Sequence, residues 1–237
     1  MKLAKPRIDI GLFTNNIDAM LDFYQKEVGI AFDHALPLGG GRMQHRHDLL
    51  GSVLKINASR TPIEEKPRSG YDEIMIARSG LLGPKHMKDP DGNKVTLVPP
   101  GLFGIAQIGI KLKVRDATAH RRFYVLAMGL PDVPEEGGNS FYCGESVIMV
   151  EEAPDAPADA TIEGTGLRYI TVQVYDADDE YKAIAAYGGP EGRPPATMGD
   201  VARFGFVRDP DGNWIEISQR FSLVGHPGQT GKLDEAN

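Results

Sequence analysis

The densest run of side chains able to do chemistry is MQHRHDLLGSVLKIN, residues 43–57, which holds His45, Arg46, His47, Asp48, Lys55 and Asn57. Its period-two alternation reads as two short strands, around 43–49 and 52–58, joined by a tight turn at Leu50-Gly51. Asn57 shares a face with Lys55 by alternation. Loop length decides what the preceding strand adds. A two-residue loop, Leu50-Gly51, pairs Lys55 with Arg46 and places Gln44, Arg46 and Asp48 on that face. A three-residue loop, Leu49 to Gly51, shifts the register by one and brings His45 and His47 there instead. Either way one face carries several charged, hydrogen-bonding groups, which are costly to bury unless paired or used. A lysine beside a developing enolate or phenolate is an electrostatic stabiliser, and a histidine or carboxylate is a base. The alternative is a surface hairpin rich in solvated charge.

Other signals point away from chemistry. Cys143 lies in a predicted strand with no matched histidine, which reads as a buried structural thiol. GGGR at 39–42 neither opens a helix nor has phosphate-loop spacing, and reads as a flexible connection that could gate a cavity. The 237 residues are 41% hydrophobic and 25% charged, which excludes wholesale disorder. A formal charge of -7, with no dense basic run, does not suit a nucleic-acid binder. One cysteine excludes an internal disulfide, so a reducing cytoplasmic compartment is expected. MKLAKPRIDI lacks the apolar run of a signal peptide, and no stretch approaches the roughly 18 apolar residues of a membrane span. The expected partner is a small molecule, with neither nucleic acid nor membrane involved.

The elements that must position these residues recur along the chain. DPDGNKVTLV at 89–98 returns as DPDGNWIEIS at 209–218, and DIGL at 9–12 as QIGI at 107–110. Phe23-Tyr24 with Gly29-Ile30 returns as Phe123-Tyr124 with Gly129-Leu130. GSVLKI at 51–56 matches ESVIMV at 145–150, and DEIMIA at 72–77 matches RYITVQ at 168–173. Such agreement in order and spacing marks a tandem duplication. Each unit reads as strand–helix–three strands: Ile8, Ile10 and Leu12 alternate, Asn15 or Asn16 caps a helix through Ile17, Met20, Leu21 and Tyr24, and DPDGN makes a turn into the last strand. The copies differ in length, with Glu73 and Asp89 16 positions apart but Tyr169 and Asp209 40 apart. The extra residues include DADDEYKAIAAYGG, an amphipathic helix with an acidic start and a Gly-Gly stop. The first copy therefore lacks a covering helix, and Ile74, Ile76, Val95 and Leu97 need another cover: the other domain, the tail after Arg220, or a second chain. Residues 151–166 and 188–200 read as long surface loops.

The paired strand–helix–strands units, the FY…G signature and the DPDGN turn resemble the vicinal oxygen chelate superfamily, which includes glyoxalase I, bleomycin-resistance proteins and extradiol dioxygenases. The resemblance implies an α+β fold in which paired βαβββ modules form two cup-shaped mixed sheets. One domain would span 1–101 and a second 104–220, with a tail at 221–237. By family position the first cup would offer Asp9, Lys55, Glu73 and Thr96, and the second Gln107, Met149, Tyr169 and Glu216. Neither set is an ordinary metal site, because Lys55 places an ammonium where a cation should sit. Gln107 with Glu216 is the surviving metal-type remnant. The expected site is the first cup, with Asp9, Lys55 and Glu73 as acid–base or oxyanion groups completed by His47 or Arg46, and with His45, Asn57, Thr96 and Tyr169 contacting substrate. The implied protein is an isomerase, lyase or ring-opening enzyme that takes a small oxygenated molecule through an enolate-like anion. It would use no cofactor and be a monomer or homodimer. A non-catalytic binder is the second expectation. A dioxygenase or glyoxalase-type enzyme with one divalent metal (Fe, Mn, Ni or Zn) on atypical ligands is the third.

Overall fold

The computed structural model describes residues 1–134 and 138–226. Module one runs β1 (Asp9–Thr14), α1 (Ile17–Asp22) continued by a π-helical turn over Phe23–Val28, then β2 (Ala31–Gly39), β3 (Arg42–Leu49) and β4 (Ser52–Ser59). Module two is shorter: β5 (Tyr71–Ala77), β6 (Lys85–Lys88) and β7 (Lys94–Val98), with no helix. Module three runs β8 (Ile108–Val114), α2 (Ala117–Arg122) with its own π turn over Phe123–Ala127, β9 (Ser140–Cys143) and β10 (Ser146–Glu152). Module four runs β11 (Gly166–Gln173), α3 (Ala177–Ala185), β12 (Arg193–Met198), β13 (Ala202–Arg208) and β14 (Trp214–Arg220), followed by the short α4 (Phe221–Val224). Most of the tail, residues 227–237, lies outside the described residues. The 188–200 segment, expected as loop, contains β12, which pairs with β13 along the sheet edge.

The modules do not combine in the order of the chain. One sheet has eight strands in the order β12-β13-β14-β11-β1-β4-β3-β2, and the other six in the order β6-β7-β5-β8-β10-β9. Modules one and four thus build the larger sheet, and modules two and three the smaller. The expectation of one cup within 1–101 and another within 104–220 is corrected by this pairing. The physical reason is the connection after β4: residues 60–70 can span roughly 35 Å when extended, enough to carry the chain out of one sheet and into the other. Ser69 Oγ donates to Leu167 O at 2.6 Å, and Arg168 Nη1 donates to Pro67 O at 2.7 Å, fixing that crossing segment beside β11. The centre of each sheet is an antiparallel pair, β1–β11 and β5–β8, flanked on both sides by parallel neighbours.

Alternation sends Ile8, Ile10, Leu12, Leu54, Ile56, Ile170 and Ile217 to one face of the larger sheet, and Ile74, Ile76, Val95, Leu97, Ile110 and Ile148 to one face of the smaller. All are buried in a single core with Met20, Tyr24, Val28, Phe123 and Tyr124. The face expected to lack a cover is therefore closed from within the chain. The helical segments of modules one and three each dock on the DPDGN turn of the following module: Tyr24 Oη donates to Asp89 Oδ2 at 3.0 Å, and His120 Nε2 lies 3.3 Å from Asp209 Oδ2. Asn16, not Asn15, is the N-cap of α1, and its side chain makes no capping bond; the Asn15 amide instead donates to Ser59 O and Thr61 O. Asp176 caps α3 by accepting from Asp179 N.

Candidate functional site

The concave face of the larger sheet holds a cavity of about 190 Å³. Two apolar edges flank it, Leu36 and Leu38 on β2 and Met198 and Val201 around the β12–β13 turn, while Phe13, Tyr169, Phe204 and Phe206 form an aromatic wall. Phe206 meets Tyr169 and Phe204 edge-on, with ring centroids 6.1 and 6.0 Å apart. Tyr169 can lie across β1 only because its register partner is Gly11. A Cβ there would overlap Tyr169 Cζ. The 151–166 stretch is docked over this cup: Ala160 and Ile162 are buried, Trp214 Nε1 donates to Ala160 O, and Ile162 lines the cavity.

Polar groups converge on the floor. Lys55 Nζ donates to Thr171 Oγ1 at 2.6 Å and lies 3.3 Å from Glu216 Oε2, 5.4 Å from the centroid of the Tyr169 ring. Thr171 Oγ1 donates to Glu216 Oε2 at 3.2 Å. Beside this trio runs a fixed relay. Asn57 Nδ2 donates to Leu12 O and to Tyr169 Oη, Gln44 Nε2 donates to Asn57 Oδ1, and Arg46 Nη1 donates to Gln44 Oε1. Asp9 lies beneath, accepting from Lys5 Nζ, Val53 N and Gln173 Nε2. Burial, and next the charge of Arg220, pull the Arg46 guanidinium below its ordinary range. Burial pushes the Tyr169 phenol up, so it stays protonated at neutral pH.

The smaller sheet's concave face is largely filled. Met75, Ala77, Val98 and Val147 pack there against Leu102 and Ile105, supplied by the 99–107 connection, and against Val133. Its remaining polar groups lie at one end: Thr96 Oγ1 donates to Glu73 Oε1 at 2.5 Å, Lys111 Nζ is 3.1 Å from Glu73 Oε2, and the exposed His86 reaches Thr96 at 2.9 Å.

Residues 104–217 match the family model described as Glyoxalase/Bleomycin resistance protein/Dioxygenase superfamily. Over that region the sequence is similar to this superfamily. The whole chain shares its fold with glyoxalase I from Zea mays (TM-score 0.69, 13% identity, 90% of this chain and 92% of that one). It is also similar to a proposed dioxygenase from Bacillus subtilis (TM-score 0.66, 13% identity, 92% and 86%). No curated protein matches the sequence.

Within this fold, the exchange of modules redistributes the expected site residues. Asp9, Lys55, Asn57, Tyr169 and Glu216 come together in the larger cup. Glu73 and Thr96 do not join them, because β5 and β7 belong to the other sheet. The expected Asp9–Lys55–Glu73 group is thus split, and Glu216 takes the place of Glu73 opposite Lys55. The hairpin loop has two residues, Leu49 pairing with Ser52 and Arg46 with Lys55. Arg46 therefore faces the cup, while His45 and His47 face the opposite side with Phe32. His47 is fully buried there, 3.1 Å from Gln25 Nε2, and burial lowers it to about 4. Gln107 and Glu216 are on different sheets. The Gln107 amide donates to Leu49 O, Leu50 O and Ser52 Oγ, and its carbonyl accepts from Ser146 Oγ, so it bridges chain segments.

The residues that the resemblance offered as metal-type positions regroup as Asp9, Lys55, Tyr169 and Glu216 in the larger cup, and Glu73, Thr96, Gln107 and Met149 in the smaller. Neither set fits a divalent cation. Lys55 presents its ammonium to Glu216, and Glu73 is occupied by Thr96 and Lys111. Among the described residues no group of three His, Cys, Asp or Glu side chains converges. Residues absent from the sequence reading include Thr171, Gln173, Arg220 and the Phe204–Phe206 wall. Alternation from Tyr169 and Glu216 marks Thr171, Gln173 and Arg220 as inward. What the sequence did not supply was the pairing of β1 with β11. Among the described residues no helix is long and apolar enough to cross a membrane.

Proposed function

We propose that the larger cup is the active site of an enzyme that moves a proton on a small oxygenated organic molecule, through an enolate-like anion and without a resident metal. The observation that carries this reading is the pairing of Lys55 and Glu216 at the wall of an aromatic-lined cavity. The Glu216 carboxylate takes a proton from the carbon next to a substrate carbonyl. The C–H electron pair moves into the carbonyl, and the oxygen that gains charge accepts a hydrogen bond from Lys55. Return of the proton to a different atom isomerises the substrate; loss of a leaving group from the adjacent carbon makes the same step a lyase reaction. Metal content is a separate arm of the test. About one divalent ion per chain in protein purified without a histidine tag would overturn the metal-free part.

Proton NMR of candidate carbonyl compounds in D₂O reads the step directly. Glu216→Gln should slow solvent exchange by about 10³-fold, and Lys55→Met by about 10² to 10³-fold. Lys111→Met, the lysine facing Glu73 in the other cup, should leave the rate within about twofold. Exchange by Glu216→Gln at the wild-type rate would sink the assignment. A second reading, a non-catalytic binder, is favoured by the engagement of Glu216 with both Lys55 and Thr171. A binder would gain melting temperature with ligand and release it unchanged, with no exchange.

A further inference from the structure

The larger cup contains a second charged feature that the proton-transfer step does not use. Arg46 is only 6% exposed, yet it makes one hydrogen bond, from Nη1 to Gln44, and no ion pair with any described residue. Its Nε is buried without a partner. A buried donor left unmade is costly, and Nε with Nη2 is the edge of a guanidinium that grips a carboxylate side-on through two parallel bonds. The relay from Asn57 through Gln44 holds the other edge, so the orientation of the fork is set before any ligand arrives. Arg220 lines the same cavity; its Nε is bonded to Ser222 Oγ and it too makes no ion pair among the described residues. The charged side chains lining the cavity are Arg46, Lys55, Arg220 and Glu216, an excess of positive charge with the single carboxylate already paired to Lys55. The rest of the lining is apolar and aromatic apart from Gln44, Asn57, Gln173 and Ser218 on the floor.

We infer that the ligand is an organic carboxylate with a flat apolar body, its carboxylate gripped by Arg46 and Arg220 and its body held between the Phe204–Phe206 wall and the Leu36–Leu38 edge. This rests on the larger cup being the working site and adds a substrate class to it. The carboxylate anchor is separate from the Lys55–Glu216 pair, so it fixes which carbon faces Glu216. A carboxylate suits the site better than a phosphate because the free edge is bidentate and planar.

Trp214, the single tryptophan, has its ring 5.9 Å from that of Phe206 and reports binding by fluorescence. Phenylacetate and its neutral isostere phenylacetamide are the probes. Phenylacetate should bind at least tenfold more tightly than the amide to the wild-type chain. Arg46→Lys, which keeps the charge but loses the planar fork, should weaken phenylacetate at least tenfold, Arg220→Gln at least threefold, and the Lys111→Met control less than twofold. Equal affinity for acid and amide would overturn the inference without any variant needing to fold. So would undiminished binding by Arg46→Lys, tighter binding of phenyl phosphate than of phenylacetate, or no quenching by phenylacetate up to tens of millimolar. Loss of the Glu216-dependent exchange together with retained, arginine-dependent acid binding would instead remove the proton-transfer reading and leave the carboxylate site standing.

Discussion

The two cups come from the same repeated unit, yet one holds a polar cavity and the other is plugged. The difference starts at the glycine of the repeated Ile-Gly pair. Gly11 on β1 lies opposite Tyr169, and the missing Cβ is filled by that ring, whose hydroxyl accepts from Asn57 in the site. Gly109 on β8 lies opposite Met75, and its missing Cβ is filled by Ile105, 2.7 Å from where a Cβ would stand. The same local feature therefore admits a functional side chain in one sheet and a hydrophobic plug from the connecting segment in the other. Strand length reinforces this. The larger cup is walled by the nine-residue β2 and the six-residue β12, the smaller by the four-residue β6 and β9. A deep cup needs tall edges as well as inward polar residues.

The largest effect that would sharpen this contrast is on Gly11. Gly11→Ala drives a methyl into the hydroxyl-bearing end of the Tyr169 ring, which is anchored by Asn57 and packed against Phe13 and Phe206. Overpacking of that kind should cost about 3 kcal/mol, read by urea unfolding, and should abolish ligand-induced quenching of Trp214. Gly109→Ala meets only the flexible end of Ile105 and should cost about 1 kcal/mol. Equal costs at the two sites would mean that the glycines serve strand geometry alone.

A smaller effect is expected from the plug itself. Ile105 is fully buried, and Ile105→Ala removes three carbons from the smaller cup, at a cost of about 2 kcal/mol. It should leave affinity in the larger cup unchanged, because Ile105 touches neither Lys55 nor the aromatic wall. A matching loss of binding in the larger cup would show that the plug supports both sheets, and the contrast drawn between them would fail.

Much of the fold was legible because the repeat carries its own punctuation. Asp89 and Asp209 each accept from the backbone N–H two and four residues on, and Gly92 and Gly212 adopt positive φ, as the DPDGN turn requires. Alternation correctly assigned the core face of β1, β5 and β7. What was missing was long-range: alternation says which face a residue takes but not which strand lies beside it. Tyr169 and Glu216 were therefore read as inward but placed in the wrong company, and Glu73 was credited to a cup it never enters. The hairpin register was open for a related reason, since loop length sets it. The structure resolves it through Leu50 and Gly51, both with positive φ, the two-residue turn that suits the twist of antiparallel strands.

That register also places His47 where its counterpart in the smaller sheet is apolar. His47 pairs with Leu54, and Phe141 pairs with Ile148 at the matching position of β9 and β10. Both are fully buried, but the histidine carries a titratable ring with an unpartnered Nδ1. Burial holds it to about 4, whereas the unfolded chain binds that proton near 6.5. Below pH 6.5 the unfolded state therefore takes up a proton that the folded state refuses, and stability falls as pH drops towards 4. Between pH 7 and 5 the loss is on the order of 1 kcal/mol, set by the proton that the unfolded chain takes up and the buried ring refuses. His120 works in the opposite sense. Burial works against its charged form, but its bond to Asp209 prevails and raises it, so the stability it supplies is fully present in acid and is lost as pH rises through the raised value. Urea midpoints of wild type and His47→Phe at pH 7 and pH 5 isolate the first term. The variant should lose about 1 kcal/mol less over that interval; identical acid losses would show that His47 opens to solvent and titrates freely, and that the two convex faces are equally insensitive to acid.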